Sequence, residues 1–245
     1  MVMGDGRNAV GAVVAASVQA LYRTGVQVYA FALCPTRGRI RPNGAQGADT
    51  TLERWQSCLW PIYQIQSCVY RNHDELRDRL STVGADAYVV LYLGPRAVDD
   101  GLDLSHILEP LSGVGRPRIA GLTLLVDDSC SLGVLGVNRL GYLNLMESVR
   151  GEDYLVEVAQ QVSCPVRFLL VGIWEEAFGH PGSYVVGCPD AVELLSVKVD
   201  LAASSASPSP VQVAMTLRAL RDLQENKISP ASMRRHSRTS STASI

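Results

Sequence analysis

Apolar residues first recur at helical spacing over residues 9–22, a stretch that Thr24 and Gly25 are suited to stop. Residues 26–33 follow as a short run of strand formers. Residues 35–51, punctuated by Gly38, Pro42, Gly44 and Gly47, read as a loop. Residues 62–70 alternate and are rich in β formers. Asn72 or Asp74 can cap a helix that runs to about Val83 and closes at Gly84. Residues 87–93 and 120–126 are continuous apolar strands, with a short helix at 104–111 between them. The second strand ends in Asp127 and Asp128. Beyond it the pattern predicts a helix over 154–162, strands over 166–173 and 183–187, and a helix over 191–197. Strands apolar throughout must be covered on both sides. The expectation is therefore a three-layer α/β fold: a mostly parallel sheet of about six or seven strands, with helices on both faces.

The pattern changes at Ala202. Residues 202–210 are rich in Ser, Ala and Pro and read as a connection. Residues 211–225 form an amphipathic helix with Ser209 as its cap and Pro210 in its first turn. From Ser229 onward the chain is Ser/Thr/Arg-rich with little to bury, and disorder is expected. The organisation is thus a domain over 1–200, a connection and terminal helix over 201–228, and a tail over 229–245, with no internal repeat. Arg234-Arg235-His236-Ser237 fits a basophilic kinase site, and equally an unmodified solvated tail.

The composition narrows the function classes. The chain has 245 residues, 47% of them hydrophobic, enough for one sizeable core. A net charge of −2 gives no field that would draw nucleic acid or an anionic membrane. No apolar stretch reaches the roughly 20 residues that cross a bilayer, and the start of the chain is not a secretory signal. The six cysteines are scattered without a CxxC pair and mostly lie in apolar runs, which suits reduced, buried thiols. Neither they nor the four histidines have metal-ligand spacing. Of 22 basic residues only Lys198 and Lys227 are lysines, so any chemistry that needs a lysine has two candidates.

Five segments follow in order. They are Asn72-His73-Asp74-Glu75-Leu76; Asp100-Gly101-Leu102-Asp103-Leu104 with Glu109-Pro110-Leu111; residues 125–136, LVDDSCSLGVLG; residues 171–187, which hold Trp174-Glu175-Glu176-Ala177-Phe178-Gly179 and then Pro181-Gly182-Ser183-Tyr184; and Ser205-Ala206-Ser207-Pro208-Ser209-Pro210. This succession resembles the large domain of the α-oxoamine synthases, fold-type I pyridoxal-phosphate enzymes of the aminotransferase class II kind. The third segment resembles the family's VDDSHSxGVLGxxGRG, the fourth GTxxKAxGxxGGYxxG, and the fifth FSxSxPP. The likeness covers roughly residues 8–226. It does not reach the N-terminal segment or the small C-terminal domain of a full-length member, and the expectation is that both are missing.

The resemblance implies a site at the carboxyl ends of the strands, where open α/β sheets bind ligands. Pyridoxal phosphate is an electron sink that needs an enzyme lysine, a carboxylate at its pyridinium nitrogen and groups that orient its ring. Asp127 falls at the position of the pyridinium-binding aspartate, here as a vestige; the plain alternative is a strand-end turn residue. Cys130 stands where active relatives carry a histidine, and a small buried filler is the alternative. Glu176 stands at the Schiff-base lysine position, where a carboxylate cannot condense with an aldehyde; Glu175 and Glu176 also suit a solvated loop. Lys198 and Lys227 fall at other places in the pattern and read as surface residues. After residues 26–33 there is no ring-stacking histidine, and no Gly-rich phosphate cradle precedes Ala9. His73 reads as a cap residue and His180 as a turn residue or a lining of the vestigial site.

On resemblance the chain is most similar to the lysine-less subunit of serine palmitoyltransferase, which condenses L-serine with palmitoyl-CoA in sphingolipid biosynthesis. The resemblance then implies a lysine-bearing homologous subunit as heterodimer partner. Pyridoxal phosphate would sit in that partner, with none bound covalently by this chain. The place implied is the cytoplasmic face of the endoplasmic reticulum through the partner, or otherwise the cytoplasm. A stand-alone scaffold or regulatory module with the same fold stays open. So does an unrelated receiver-like unit over residues 75–127, with Tyr92 where an acceptor aspartate is wanted, although it explains nothing after Asp128.

Overall fold

The computed structural model describes residues 2–3, 28–33, 66–70, 73–93, 103–112, 119–129, 131–202 and 208–225. The readings at 9–22, 35–51 and 229–245, and those on Cys130 and Lys227, lie outside these residues. Seven strands appear among them: β1 (Val2–Met3), β2 (Val28–Leu33), β3 (Gln66–Tyr70), β4 (Tyr88–Leu93), β5 (Gly121–Asp127), β6 (Val166–Ile173) and β7 (Ser183–Gly187). They form one sheet in the order β1-β7-β6-β5-β4-β2-β3. Strands β3, β2, β4, β5 and β6 run parallel, and β7 is antiparallel to both β6 and β1. The mostly parallel α/β sheet expected from the apolar runs is present. It continues through β6 and β7 well past Asp128, which the receiver-like reading cannot accommodate.

The described helices are α1 (His73–Ser81), α2 (Leu104–Leu108) with a 3-10 turn at Glu109–Leu111, α3 (Tyr142–Arg150), α4 (Tyr154–Gln161), α5 (Trp174–Phe178), α6 (Pro189–Ala202) and α7 (Pro210–Gln224). Three of them correct the sequence reading. Helices α3 and α5 were not expected, and α6 runs on to Ala202, where a connection had been expected to begin. The cap of α7 is stronger than Ser209 alone suggests. The Ser209 hydroxyl accepts from the Gln212 N–H (3.2 Å), and the Gln212 side-chain oxygen accepts from the Ser209 N–H (2.7 Å). Two otherwise orphaned donors are satisfied reciprocally.

Register decides which side chains reach which layer. Val89, Leu91 and Leu93 pair with Leu122, Leu124 and Val126, so these six residues share one face. They pack in one apolar cluster with Leu76 and Leu80 of α1, Leu104, Ile107 and Leu108 of α2, Tyr142 and Met146 of α3, and Tyr154 and Val158 of α4. Residues of the opposite parity, Val90, Leu125, Leu169, Val171 and Val185, are buried as well. Strand β5 is buried along its whole length. That explains why its sequence reads as an unbroken apolar run.

Among the described cysteines, Cys164 and Cys188 are free and only half-buried, which corrects the expectation of buried thiols at these two positions. No described helix is long and apolar enough to cross a membrane.

Candidate functional site

The carboxyl ends of β5 and β6 lie side by side, with Asp127 registered against Val171. Asp127 is the last residue of β5, and α5, which carries Glu175 and Glu176, starts directly after the last residue of β6. The backbone thus places Asp127 and the Glu176 position at the same edge of the sheet. Lys198 lies in α6, which follows β7. Because β7 is antiparallel, its last residue, Gly187, pairs with Leu169, several residues back along β6 from that edge.

Asp127 and Asp128 are adjacent, buried carboxylates. For Asp127, the Tyr92 hydroxyl donates to Oδ2 (2.7 Å), and the Ser129 N–H (3.1 Å) and hydroxyl (2.5 Å) donate to Oδ1. The Ile173 N–H in turn donates to the Ser129 hydroxyl (3.2 Å). For Asp128, Oδ1 accepts from the Tyr142 N–H (2.8 Å) and the Ser131 hydroxyl, and Oδ2 accepts from the Tyr184 hydroxyl (3.1 Å). The Asp128 N–H donates to the Val171 carbonyl (2.7 Å). Asp128 therefore supplies an acceptor to the first turn of α3, whose cap position, Gly141, has no side chain to do so. Tyr184 reaches Asp128 because Gly172 leaves room: a Cβ there would sit 2.3 Å from the Tyr184 ring.

His180 lies in the bend between α5 and β7, as read from the sequence, and is buried there, stacked near Phe178 with ring centroids 6.0 Å apart and edge-on to Trp174 at 5.8 Å. Its Nε2 lies 3.4 Å from the Thr216 hydroxyl, and the Gln212 amide donates to the Pro181 carbonyl (3.4 Å). These contacts seat α7 against the segment after α5. His73 is the first residue of α1, in keeping with a place at the helix start.

Asp103, from the second motif, holds a further polar network that the sequence reading missed. Asp103 caps α2 by accepting from the Ser105 N–H (3.0 Å); it also accepts from the Tyr154 hydroxyl (3.3 Å) and pairs with Arg150. Burial works against the Asp103 charge, but Arg150 and the two donors outweigh it and hold the pKa below the usual carboxylate value. The only local signal was an aspartate just before an apolar run.

Burial raises several neutral acids, and the effect should be measurable. It pushes the Tyr154 hydroxyl from 10.0 up to about 12 and the Cys164 thiol from 9.0 up to about 11. Tyr142 and Tyr184 are raised further, by burial first and then by Tyr154 and Asp128 respectively. In each case the unfolded chain loses its proton first. Stability is then complete below the unfolded values and falls as pH climbs through the folded ones. The urea midpoint is expected to hold at neutral pH and decline between about pH 9 and 12. Urea titrations across that interval check it, and a flat midpoint would contradict it.

Sheet order and strand directions match the α/β fold of pyridoxal-phosphate transferases. The solved structures that share it include α-oxoamine synthases. Sphingomonas wittichii serine palmitoyltransferase superposes with a TM-score of 0.55 over 91% of this chain and 46% of that one, at 16% identity. The 8-amino-7-oxononanoate synthase of Francisella tularensis superposes with a TM-score of 0.51 over 91% and 53%, at 17% identity. In sequence, the chain is 30% identical over 164 residues to the aminotransferase FUM8 of Gibberella moniliformis, covering 64% of this chain and 30% of that protein. It is 33% identical over 139 residues to the aminotransferase ALT4 of Alternaria alternata, covering 54% and 17%. No family model matches the chain. The chain spans about half of each solved structure and less than a third of the two curated relatives.

Among the described residues, the expected site can be compared with what pyridoxal phosphate needs, a primary amine and a carboxylate. The helix after β6 offers two glutamates and no primary amine, and the Asp127 carboxylate already receives donors on both oxygens.

Proposed function

We propose that this chain is a non-catalytic component of a serine-palmitoyltransferase-like complex, paired with a lysine-bearing homologous subunit. One observation carries the reading: Glu176 lies in α5, at the sheet edge that Asp127 also reaches, where the resemblance calls for a lysine. A carboxylate has no nitrogen lone pair with which to form an imine. Pyridoxal phosphate, bound in the partner, supplies the electron sink for the condensation of L-serine with palmitoyl-CoA. This chain contributes a folded strand-end surface and no proton or nucleophile to the reacting atoms. Placement at the cytoplasmic face of the endoplasmic reticulum would then come through the partner.

Co-expression with a lysine-bearing α-oxoamine synthase homologue tests the proposal. A stable heterodimer is expected, with the absorbance of a pyridoxal–lysine imine from the complex and none from this chain alone. A chain that stays monomeric with every such homologue would overturn the pairing and favour a stand-alone scaffold. An imine band from this chain by itself would overturn the non-catalytic role.

A further inference from the structure

We infer that Asp127 is a strand-end clamp: its carboxylate ties β4, β5 and β6 together, so that a pyridinium nitrogen would have to compete with donors the fold itself supplies. The geometry begins with register. Tyr92 pairs with Leu125, and Asp127 lies two residues further along the same strand. Side chains alternate with a period of two, so Tyr92 and Asp127 stand on the same face of the sheet as diagonal neighbours on adjacent strands. At that separation a tyrosine on β4 is long enough to bring its hydroxyl to the carboxylate, and it does so at 2.7 Å.

The other oxygen is tied in the opposite direction. Asp127 Oδ1 accepts from the Ser129 hydroxyl, which itself accepts from the Ile173 N–H at the end of β6. A continuous path of hydrogen bonds thus runs from β4 through Asp127 and Ser129 to β6. Ionised carboxylates have about four good acceptor positions, and Tyr92 with the two Ser129 donors takes three.

Burial makes this arrangement hard to exchange. Tyr92 is 6% exposed and Asp127 4%, so their bond is shielded from water. A ring nitrogen approaching Oδ2 would have to share that oxygen with the tyrosine hydroxyl, which already holds it in a charge-assisted, buried hydrogen bond. On this reading the aspartate persists without a cofactor because the fold uses it. The inference concerns Asp127 alone and stands whether or not the chain pairs with a homologue.

Equilibrium dialysis of the full chain against pyridoxal phosphate, with thermal melts of the wild type, Tyr92→Phe, Asp127→Asn and the double variant, tests the clamp. The wild type is expected to retain no stoichiometric cofactor and to melt at the same temperature with and without it. Tyr92→Phe and Asp127→Asn should each lower the midpoint by about 5 °C. The double variant should fall by clearly less than the sum, since both single changes break the same bond. Additive losses would overturn the clamp. So would stoichiometric binding by the wild type that Asp127→Asn abolishes and Tyr92→Phe leaves intact. Should Asp127→Asn fail to fold, the Tyr92→Phe melt still reads the bond to Oδ2, and an unchanged midpoint there would overturn the clamp.

Discussion

Replacing Asp128 with alanine is expected to cost about 3–5 kcal/mol of stability, the range for removing one partner from a buried charged network. The carboxylate is fully buried and accepts from Tyr142, Ser131 and Tyr184, which come from three different parts of the chain. Alanine takes the acceptor from all three and leaves α3 without its charge-bearing cap. Urea denaturation of Asp128→Ala against wild type measures the loss. Asp128→Asn should lie between them, because an amide keeps one acceptor oxygen but turns an NH2 toward a donor. Tyr184→Phe removes one donor only and should cost less than either. A loss below about 1 kcal/mol for Asp128→Ala would mean that the network contributes little.

Gly141→Ala is expected to be nearly as damaging, at about 3 kcal/mol, for a different reason. Gly141 has φ 92° and ψ −161°, a region essentially closed to residues with a side chain. An added Cβ would also lie 2.1 Å from Asp128 Oδ2. That oxygen cannot simply move aside, because the Tyr184 hydroxyl donates to it and the same carboxylate holds the start of α3. The two substitutions therefore strike one structure from opposite sides. Gly141→Ala combined with Asp128→Ala should be less destabilising than the sum, since the carboxylate that obstructs the methyl group is gone. A double-mutant cycle by urea denaturation checks this, and strict additivity would count against the coupling.

Strands β4 and β5 were legible because each is buried on both faces, so composition alone marked them. The site was legible in part. The strand-end position of Asp127 could be read from its place at the end of an apolar run. Its partners could not, because Tyr92 is 35 residues away in sequence and reaches Asp127 only through strand register. Tyr92 had even been read as a misfit in another fold.

Helix α3 shows most clearly where local pattern stops. Its cap is a glycine with no side chain, and the acceptor for its first turn comes from Asp128, 14 residues upstream. Strand β1 is two residues long and owes its assignment to pairing with β7. His180 carries no periodic signal, and its burial follows from rings on α5 and a hydroxyl on α7.

The sequence by itself determined the parallel core, the order of the motifs and the absence of an amine at position 176, all properties carried by single residues or short runs. Tertiary structure alone decided which donors reach Asp127 and Asp128, that β7 reverses direction, and that α3 begins where it does. The physical reason is that hydrophobic burial writes its period into neighbouring residues, whereas a hydrogen bond between distant segments leaves no trace in the chain until the fold brings donor and acceptor together.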